Sequence, residues 1–133
     1  MVQGARRQLD TFDLPKDVTE VEYTSDEVTS LCPITGQPDW YEVTIYLHDS
    51  HLGLESKSLK LYLQSFREDG QFCEEFANTI AGDVYEATLA SMVTCQVKQK
   101  PRGGVGITAC ACKTPPPPLP GVPDLNYDDG ATG

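Results

Sequence analysis

The sequence predicts an α+β domain in which an antiparallel sheet packs two helices on one face, in the element order ββααββ. Four short segments alternate apolar and polar residues, as half-buried strands do. Between the second and the third of these segments, apolar residues recur at three- and four-residue intervals, which is the spacing of amphipathic helices. With 133 residues the chain is long enough for one modest core, and we therefore expect one domain.

The first two strands are predicted over residues 18–23 and 40–47, where aromatic and β-branched residues alternate with polar ones. The segment between them contains two prolines and a glycine, so we expect the two strands to pair across an unusually long loop. Long loops on rigid strands often hold functional residues.

Two helices and a second hairpin follow. The first helix is predicted over residues 54–66 and the second over 72–91, in which Gly82 weakens the helix without ending it. Strands are predicted over 92–98 and 105–111, joined by a turn that contains two glycines. An open sheet of this kind has two free edges, and edge pairing with sister subunits is the expected solution.

The folded domain is expected to span residues 18–113. Residues 1–17 lack a sustained period and predict a loose arm, whereas residues 114–133 are rich in proline and predict an extended, disordered tail. No window of the sequence is apolar enough for a spanning helix, and the amino end lacks a signal-peptide pattern. We therefore expect a cytoplasmic protein.

The net charge limits the kinds of partner that we expect, and the number of cysteines limits the roles that each thiol can have. Twenty acidic and ten basic residues give a formal net charge of −10, which disfavours nucleic acid as the main partner. Five cysteines leave one unpaired in any monomeric disulfide scheme, so each is a candidate for packing, metal binding or chemistry.

Cys32 and Asp39 are the first candidate pair. Cys32 lies in the Pro/Gly-containing loop rather than on an apolar stripe, and Asp39 follows seven residues later. A thiol beside a carboxyl is typical of a nucleophile with a proton donor. The alternative is a small buried residue and a turn-capping aspartate, and spacing alone favours this alternative.

Three further sets of residues have a chemical and a structural interpretation. Lys57, Lys60 and Arg102 are suited to an anionic ligand, but the sequence alone favours a solvated face. Glu74 is suited to the N–H donors of a guanine-like ring with Phe72 stacked on it, or is simply a helix-start charge beside a core phenylalanine. The last set is the pair Cys110 and Cys112 together with the pair His48 and His51. Neither pair has the spacing of the two ligand pairs that form a closed zinc site.

Four motifs in order resemble one enzyme family. They are T-S-L-C-P-I-T-G-Q-P-D (29–39), E-S-K-S-L-K-L-Y (55–62), F-C-E (72–74) and P-R-G-G (101–104). Together they resemble the QueF-type reductases, which reduce the nitrile of 7-cyano-7-deazaguanine with NADPH in queuosine biosynthesis, in their short single-module form. The resemblance spans about residues 18–112.

The resemblance implies a fold and a set of roles. The fold is the tunnelling fold, whose ββααββ subunits close into a barrel of stacked rings, here expected as a decamer. Cys32 is implied as the nucleophile that forms a thioimidate and Asp39 as the general acid, with no metal. The implied substrate-binding residues are Phe72, Glu74, Glu55 and Ser56. The implied NADPH-binding residues are Lys57, Ser58, Lys60, Arg102 and Gly103.

One position departs from the family pattern. Many members have histidine where this chain has Cys73, and that histidine would relay protons during reduction of the imine. Cysteine is a poorer acid–base group at neutral pH. We expect either that water or Asp39 takes over this role, or that the second half of the reaction is slow or altered. A disulfide between Cys73 and Cys32 is a further possibility.

Three alternatives stay open. A QueF-like archaeal group adds ammonia to a nitrile in tRNA and forms an amidine, but it lacks the E-S-K-S-L-K run. The zinc-dependent GTP cyclohydrolases share the tunnelling fold. A pterin- or purine-binding scaffold protein would have no catalytic thiol at all.

Overall fold

The computed structural model describes residues 8–118 and 120–121. It confirms an α+β fold with antiparallel sheets and two helices. The elements in chain order are β1 (Thr11–Asp13), β2 (Glu20–Leu31), β3 (Pro38–His48), β4 (Leu52–Leu54), α1 (Ser56–Gln64), α2 (Cys73–Thr88), β5 (Met92–Arg102) and β6 (Val105–Lys113).

Four strands form the main sheet in the order β2-β3-β5-β6, with every neighbouring pair antiparallel. Alternate residues of β3, from Tyr41 to Leu47, are fully buried on the face that packs against the helices. The Tyr41 and Phe76 rings meet edge to face, with centroids 5.1 Å apart, and this contact joins β3 to α2. The core therefore lies on one side of the sheet only.

β2 is longer than predicted, and the connection to β3 is correspondingly shorter. The strand continues through Leu31, so that only residues 32–37 remain outside the hairpin strands. A bulge between Ser25 and Val28 shifts the register. Because the bulge interrupts the alternation of apolar and polar residues, residues 24–31 lack the pattern of a strand in sequence. The prediction of an unusually long loop was wrong.

The amino-terminal arm is partly ordered, which corrects the expectation of a loose segment over residues 1–17. β1 pairs with β4 in a small two-stranded sheet, and Leu9 is buried in the core. Both strands have only three residues, too few to show an alternating pattern. Residues 1–7 lie outside the described part of the chain, as does most of the predicted disordered tail at 114–133.

α2 runs to Thr88 without interruption at Gly82, as predicted, and ends with Leu89 in the left-handed conformation. Within the described residues, neither helix is long and apolar enough to cross a membrane.

Candidate active site

The Cys32 loop is pinned at both ends by backbone hydrogen bonds. The Cys32 N–H donates to the Gln37 carbonyl at 2.8 Å, and the Gly36 N–H donates to the Cys32 carbonyl at 2.8 Å. Gly36 has φ of +74°, a conformation that glycine adopts without strain. The loop therefore holds Cys32 in a fixed position at the end of β2.

The Cys32 thiol is partly exposed and acidic. The Thr35 hydroxyl, followed by the Thr35 and Ile34 backbone N–H groups, stabilises the thiolate and lowers the pKa of Cys32 from 9.0 to about 7. A larger share of this thiol is therefore ionised at neutral pH than of an ordinary cysteine, and the ionised form of a thiol is the nucleophilic one.

Asp39 is buried, with 3% of its surface exposed, because it lies in the inward-facing phase of β3 together with Tyr41. Its register partner across the hairpin is Ser30, whose hydroxyl donates to the Tyr41 hydroxyl at 3.0 Å. Burial raises the pKa of Tyr41 to about 12, so the phenol stays neutral. Asp39 is thus a carboxyl group set into the core beside two neutral hydroxyls.

Arg102 joins this group from the second hairpin. Its Nε atom lies 3.0 Å from Asp39 Oδ1, and its Nη1 atom donates to Gln37 Oε1 at 3.4 Å. The Asp39 contact is an ion pair without hydrogen-bond geometry, so that Oδ1 is buried without a hydrogen-bond partner in the described residues. The two residues after Arg102, Gly103 and Gly104, both have positive φ and form the tight turn between β5 and β6.

The start of α2 lies beside the same loop. The Leu31 N–H donates to the Asp69 carbonyl and the Gln71 N–H donates to the Leu31 carbonyl, at 2.9 and 3.1 Å. These bonds tie the segment before α2 to the residue before Cys32. The first turn of α2, with Phe72 and Glu74, is therefore close to the thiol in the same chain.

Phe72 and Glu74 are both exposed at this position. Phe72 is 50% exposed, so the interpretation of this ring as a core residue was wrong. Glu75 accepts a hydrogen bond from the Phe72 N–H at 3.3 Å and stabilises the helix start. Glu74 has no hydrogen bond or ion pair within residues 8–118 and is free to contact a ligand.

Cys73 points away from the loop into the core. It is 1% exposed, and its thiol donates to the carbonyls of Val97 and Ile107 at 3.5 and 3.9 Å. Burial, together with the charge of Glu74, raises the pKa of Cys73. This environment favours a packing role for Cys73 over proton relay or pairing with Cys32, and both are free thiols.

The ligand-binding residues predicted at α1 lie on a different element from the Cys32 loop. Glu55 caps the helix by accepting hydrogen bonds from the Lys57 and Ser58 N–H groups, and these bonds lower its pKa. The Ser58 hydroxyl is buried between the Asp10 N–H and the Glu55 carbonyl. Both residues thus have structural tasks at the amino end of α1.

Ser56 and Lys57 are exposed, and Lys60 is exposed at a cleft between α1 and β2. One chain alone brings together Cys32, Asp39, Arg102 and the start of α2, but it leaves the two lysines on another element. In the described residues, no three His, Cys, Asp or Glu side chains are placed to hold a metal ion.

Sequence reasoning missed Thr35, Gln37, Ser30 and Tyr41. The signal for Tyr41 was present, since residues 39, 41, 43, 45 and 47 share one phase of the strand. Thr35 contacts Cys32 and Gln37 contacts Arg102 because of how the loop folds, and this geometry leaves no repeating pattern in the sequence.

Comparison with known proteins identifies the family of the chain. A family model described as QueF-like protein matches residues 38–117. The chain belongs to the QueF-like protein family.

Two relatives illustrate the match. The NADPH-dependent 7-cyano-7-deazaguanine reductase of Frankia casuarinae is 42% identical over 105 residues, which are 79% of this chain and 84% of that protein. A relative of the same name from Streptococcus thermophilus is 45% identical over 87 residues, 65% of this chain. The chain spans about half, 53%, of the length of that second relative.

A solved structure, that of the archaeosine synthase QueF-Like in the apo form, has a TM-score of 0.69 and 24% identity. The superposition covers 77% of this chain and 100% of the chain in that structure. At this identity the likeness concerns the fold alone, and it supports the α+β topology predicted from the sequence. The resemblance to the QueF-type family is confirmed by the family model and the relatives.

Proposed function

We propose that this QueF-like chain is an NADPH-dependent oxidoreductase that reduces the nitrile of 7-cyano-7-deazaguanine to an aminomethyl group, a step of queuosine biosynthesis. Relatives at 42% and 45% identity have this activity in their names. The observation that carries the proposal is the acidic Cys32 thiol in a pinned loop whose end holds the buried Asp39.

The first chemical step is addition of Cys32 to the nitrile. The thiolate forms a C–S bond, one π bond of the C≡N group breaks, and its electron pair becomes a bond to a proton on nitrogen. The product is a covalent thioimidate. Because a nitrile is a weak electrophile, proton delivery must accompany attack, and we assign this proton to Asp39.

Reduction to the amine requires two hydrides and two protons in total. When bound, NADPH supplies the hydride for each reduction. Cys32 leaves as thiolate once the thioimidate carbon has been reduced, and the imine that results accepts the second hydride and a proton. Since Cys73 is buried against the sheet, we assign the second proton to Asp39 or to water rather than to Cys73.

Recognition of the deazaguanine ring is assigned to the start of α2. Glu74 is a free carboxylate that matches two adjacent N–H donors on the ring edge, and the exposed face of Phe72 suits stacking on the heterocycle. A ring without those donors would leave Glu74 unpaired and would be rejected strongly. Glu55 and Ser56 stay predicted as further substrate contacts.

Exposed cationic side chains are available to bind the phosphate groups of NADPH. Arg102 is 38% exposed, and Lys57 and Lys60 are exposed on one helix. Arginine and lysine side chains suit a 2′-phosphate. Ser58 and Gly103 stay predictions, and Ser58 would have to act through its backbone, because its hydroxyl is already bonded.

The assembly is part of the proposal. The α1 lysines and the Cys32 loop belong to different regions of one chain, and a site completed by a second subunit would bring them together. Within the described chain β2 and β6 are the outer strands of the sheet, and the outer edge of β2 is bonded at Leu31 to the segment before α2. We propose stacked rings built by edge pairing, with the decamer as the expected size.

The decisive experiment mixes protein, 7-cyano-7-deazaguanine and NADPH. We expect loss of two NADPH per nitrile and appearance of the aminomethyl product. Intact-mass measurement without NADPH is expected to detect a covalent adduct on wild type and on Cys110→Ala, which lacks an exposed thiol of β6, but not on Cys32→Ala. Absence of the adduct from wild type would refute Cys32 as the nucleophile.

The same assay separates the alternatives. An amidine-forming enzyme would consume ammonium and leave NADPH unchanged, with the nitrile in tRNA as substrate; the net charge of −10 argues against that substrate. A zinc-dependent cyclohydrolase would contain stoichiometric zinc and open the ring of GTP. A scaffold protein would bind the ring without any covalent adduct.

A further inference from the structure

The Arg102 guanidinium group, at the end of β5, reaches three residues at the start of the other hairpin. Its Nε atom lies 3.0 Å from Asp39 Oδ1, and its Nη1 atom donates to Gln37 Oε1 at 3.4 Å. The same side chain forms a hydrogen bond with the side chain of Cys32. A guanidinium group has five N–H donors, so one side chain can serve several partners. One positive charge therefore faces both the candidate nucleophile and the candidate acid.

A negative charge on Asp39 depends on this cation. The neighbouring Ser30 and Tyr41 offer only neutral hydroxyls, since burial raises the pKa of Tyr41 to about 12. The Asp39 side chain is 4% exposed, and its Oδ1 atom is buried without a hydrogen-bond partner in the described part of the chain. Water can therefore screen little of the charge, and removing the cation would leave a buried carboxylate uncompensated.

Addition of the thiolate to the nitrile moves a negative charge from Cys32 to Asp39. Before the attack the charge is on sulfur, and Asp39 holds a proton that replaces the one the thiol has released. During the attack the C–S bond forms, one π bond of the nitrile breaks, and the Asp39 proton becomes the N–H bond. Afterwards the sulfur is neutral and Asp39 is a carboxylate. The step uses neither NADPH nor an external acid, and the total charge of the site does not change.

We propose that Arg102 is a positioning residue for this step, which holds Asp39 near Cys32 and balances the negative charge as it passes from sulfur to the carboxylate. The inference rests on the proposed function and adds a task in the first chemical step to the cofactor contact assigned to Arg102 above. The ion pair between Arg102 and Asp39 has the charge distribution that the site reaches once the proton has been donated.

The test measures adduct formation without NADPH, so that weaker cofactor binding cannot affect the result. Intact-mass spectrometry follows the rate at which 7-cyano-7-deazaguanine is added to wild type and to Arg102→Ala. We expect Arg102→Ala to slow this step by about tenfold or more, since a positioned acid contributes roughly 10²–10⁴-fold. Millimolar guanidinium chloride should restore part of the rate in the variant, because Arg102 is 38% exposed and its place is open to solvent.

Alkylation of Cys32 by iodoacetamide separates this role from a structural one. Alkylation needs the thiolate but no proton donor, and Thr35 contributes more than Arg102 to the low pKa of Cys32. The alkylation rate of Arg102→Ala should therefore stay close to that of wild type. Arg102→Lys keeps the charge and should retain more of the adduct rate than Arg102→Ala does. The control Lys98→Ala removes an exposed cation from the same strand and should change neither rate.

Four results would contradict the inference. Equal rates of adduct formation in wild type and Arg102→Ala would overturn it and leave the proposed function intact. A parallel loss of adduct formation and alkylation in both Arg102 variants, or a loss that guanidinium does not restore, would reduce Arg102 to a structural role. Slower adduct formation in Lys98→Ala would trace the effect to net charge. If wild type itself forms no adduct, the proposed function is wrong as well.

Discussion

Cys32 owes its acidity to its own loop rather than to the buried groups next to it. The largest contribution is the Thr35 hydroxyl, followed by the N–H groups of Thr35 and Ile34, while Arg102 contributes least. A thiolate stabilised by neutral donors keeps its charge when a neighbouring cation moves. The thiolate of Cys32 is therefore stabilised whether or not Arg102 is paired with Asp39.

This origin of the acidity predicts a pH profile. Alkylation of Cys32 by iodoacetamide requires the thiolate, so the rate should rise with pH around a midpoint near 7 and be lost as the thiol becomes protonated below it. Thr35→Val removes the main donor and should move the midpoint toward 9.0. Peptide mapping by mass spectrometry over about pH 5–10 measures the Cys32 rate alone.

The matched control for this profile is Thr114→Val, which makes the same side-chain change at an exposed residue after β6. Its midpoint should equal that of wild type. A wild-type midpoint near 9.0 would show that the loop does not stabilise the thiolate.

At the scale of the elements, the sequence predicted the helices and strands that bury a complete row of side chains in the core. β3 and α2 follow their periods for three or more repeats, and both were located to within a few residues. β2 was truncated in the prediction because its bulge breaks the alternation, and β1 and β4 are too short to have a period. Pattern length, rather than hydrophobicity, decided which elements were predictable.

The candidate site shows the same limit. Cys32 and Asp39 were identifiable as residue types in an unusual segment, but the resemblance to a family, rather than spacing, gave them roles. The approach of Arg102 to Asp39 depends on the two-glycine turn and on the pairing of β3 with β5. Contacts between residues this far apart in sequence follow from sheet order, which local patterns do not encode.

Gly82 offers a test of helix propensity within α2. A Cβ atom at this position would meet only the Lys113 Cε atom, at 3.8 Å, so alanine fits without displacing a neighbour. Gly82→Ala should therefore raise the free energy of unfolding by about 0.5–1 kcal/mol, because glycine loses more backbone entropy on folding than alanine does. Urea unfolding of the two proteins measures the difference.

The control for this prediction is Gly53→Ala on β4. There a Cβ atom would lie 2.7 Å from Leu14 Cδ2 and 3.0 Å from the Phe12 ring, so the side chains that pack the arm against β4 must shift. Gly53→Ala should lower the unfolding free energy by about 1–3 kcal/mol, the usual cost of overpacking. If both variants change stability in the same direction, backbone entropy does not explain the Gly82 result.

At the scale of the whole molecule, the chain combines a net charge of −10 with exposed apolar side chains at the Cys32 loop and the elements that follow it. Ile34, Trp40 and Val105 are 79%, 54% and 63% exposed, near the loop and the β5–β6 turn. Exposed apolar surface that forms a large patch usually marks a contact surface. These exposed side chains fit the proposal that a second subunit covers this part of the chain.

The proposed assembly predicts the mass of the oligomer in solution and a loss of activity when its subunits dissociate. Sedimentation equilibrium should give about ten times the chain mass of 14.6 kDa if the rings stack as proposed. Trp40 is the only tryptophan, so its emission should shift to the red on dilution into subunits, and nitrile-dependent NADPH oxidation should fall over the same concentration range. A chain that sediments as a monomer and still oxidises NADPH with the nitrile would contradict a shared site and would require Lys57 and Lys60 to act without a partner subunit.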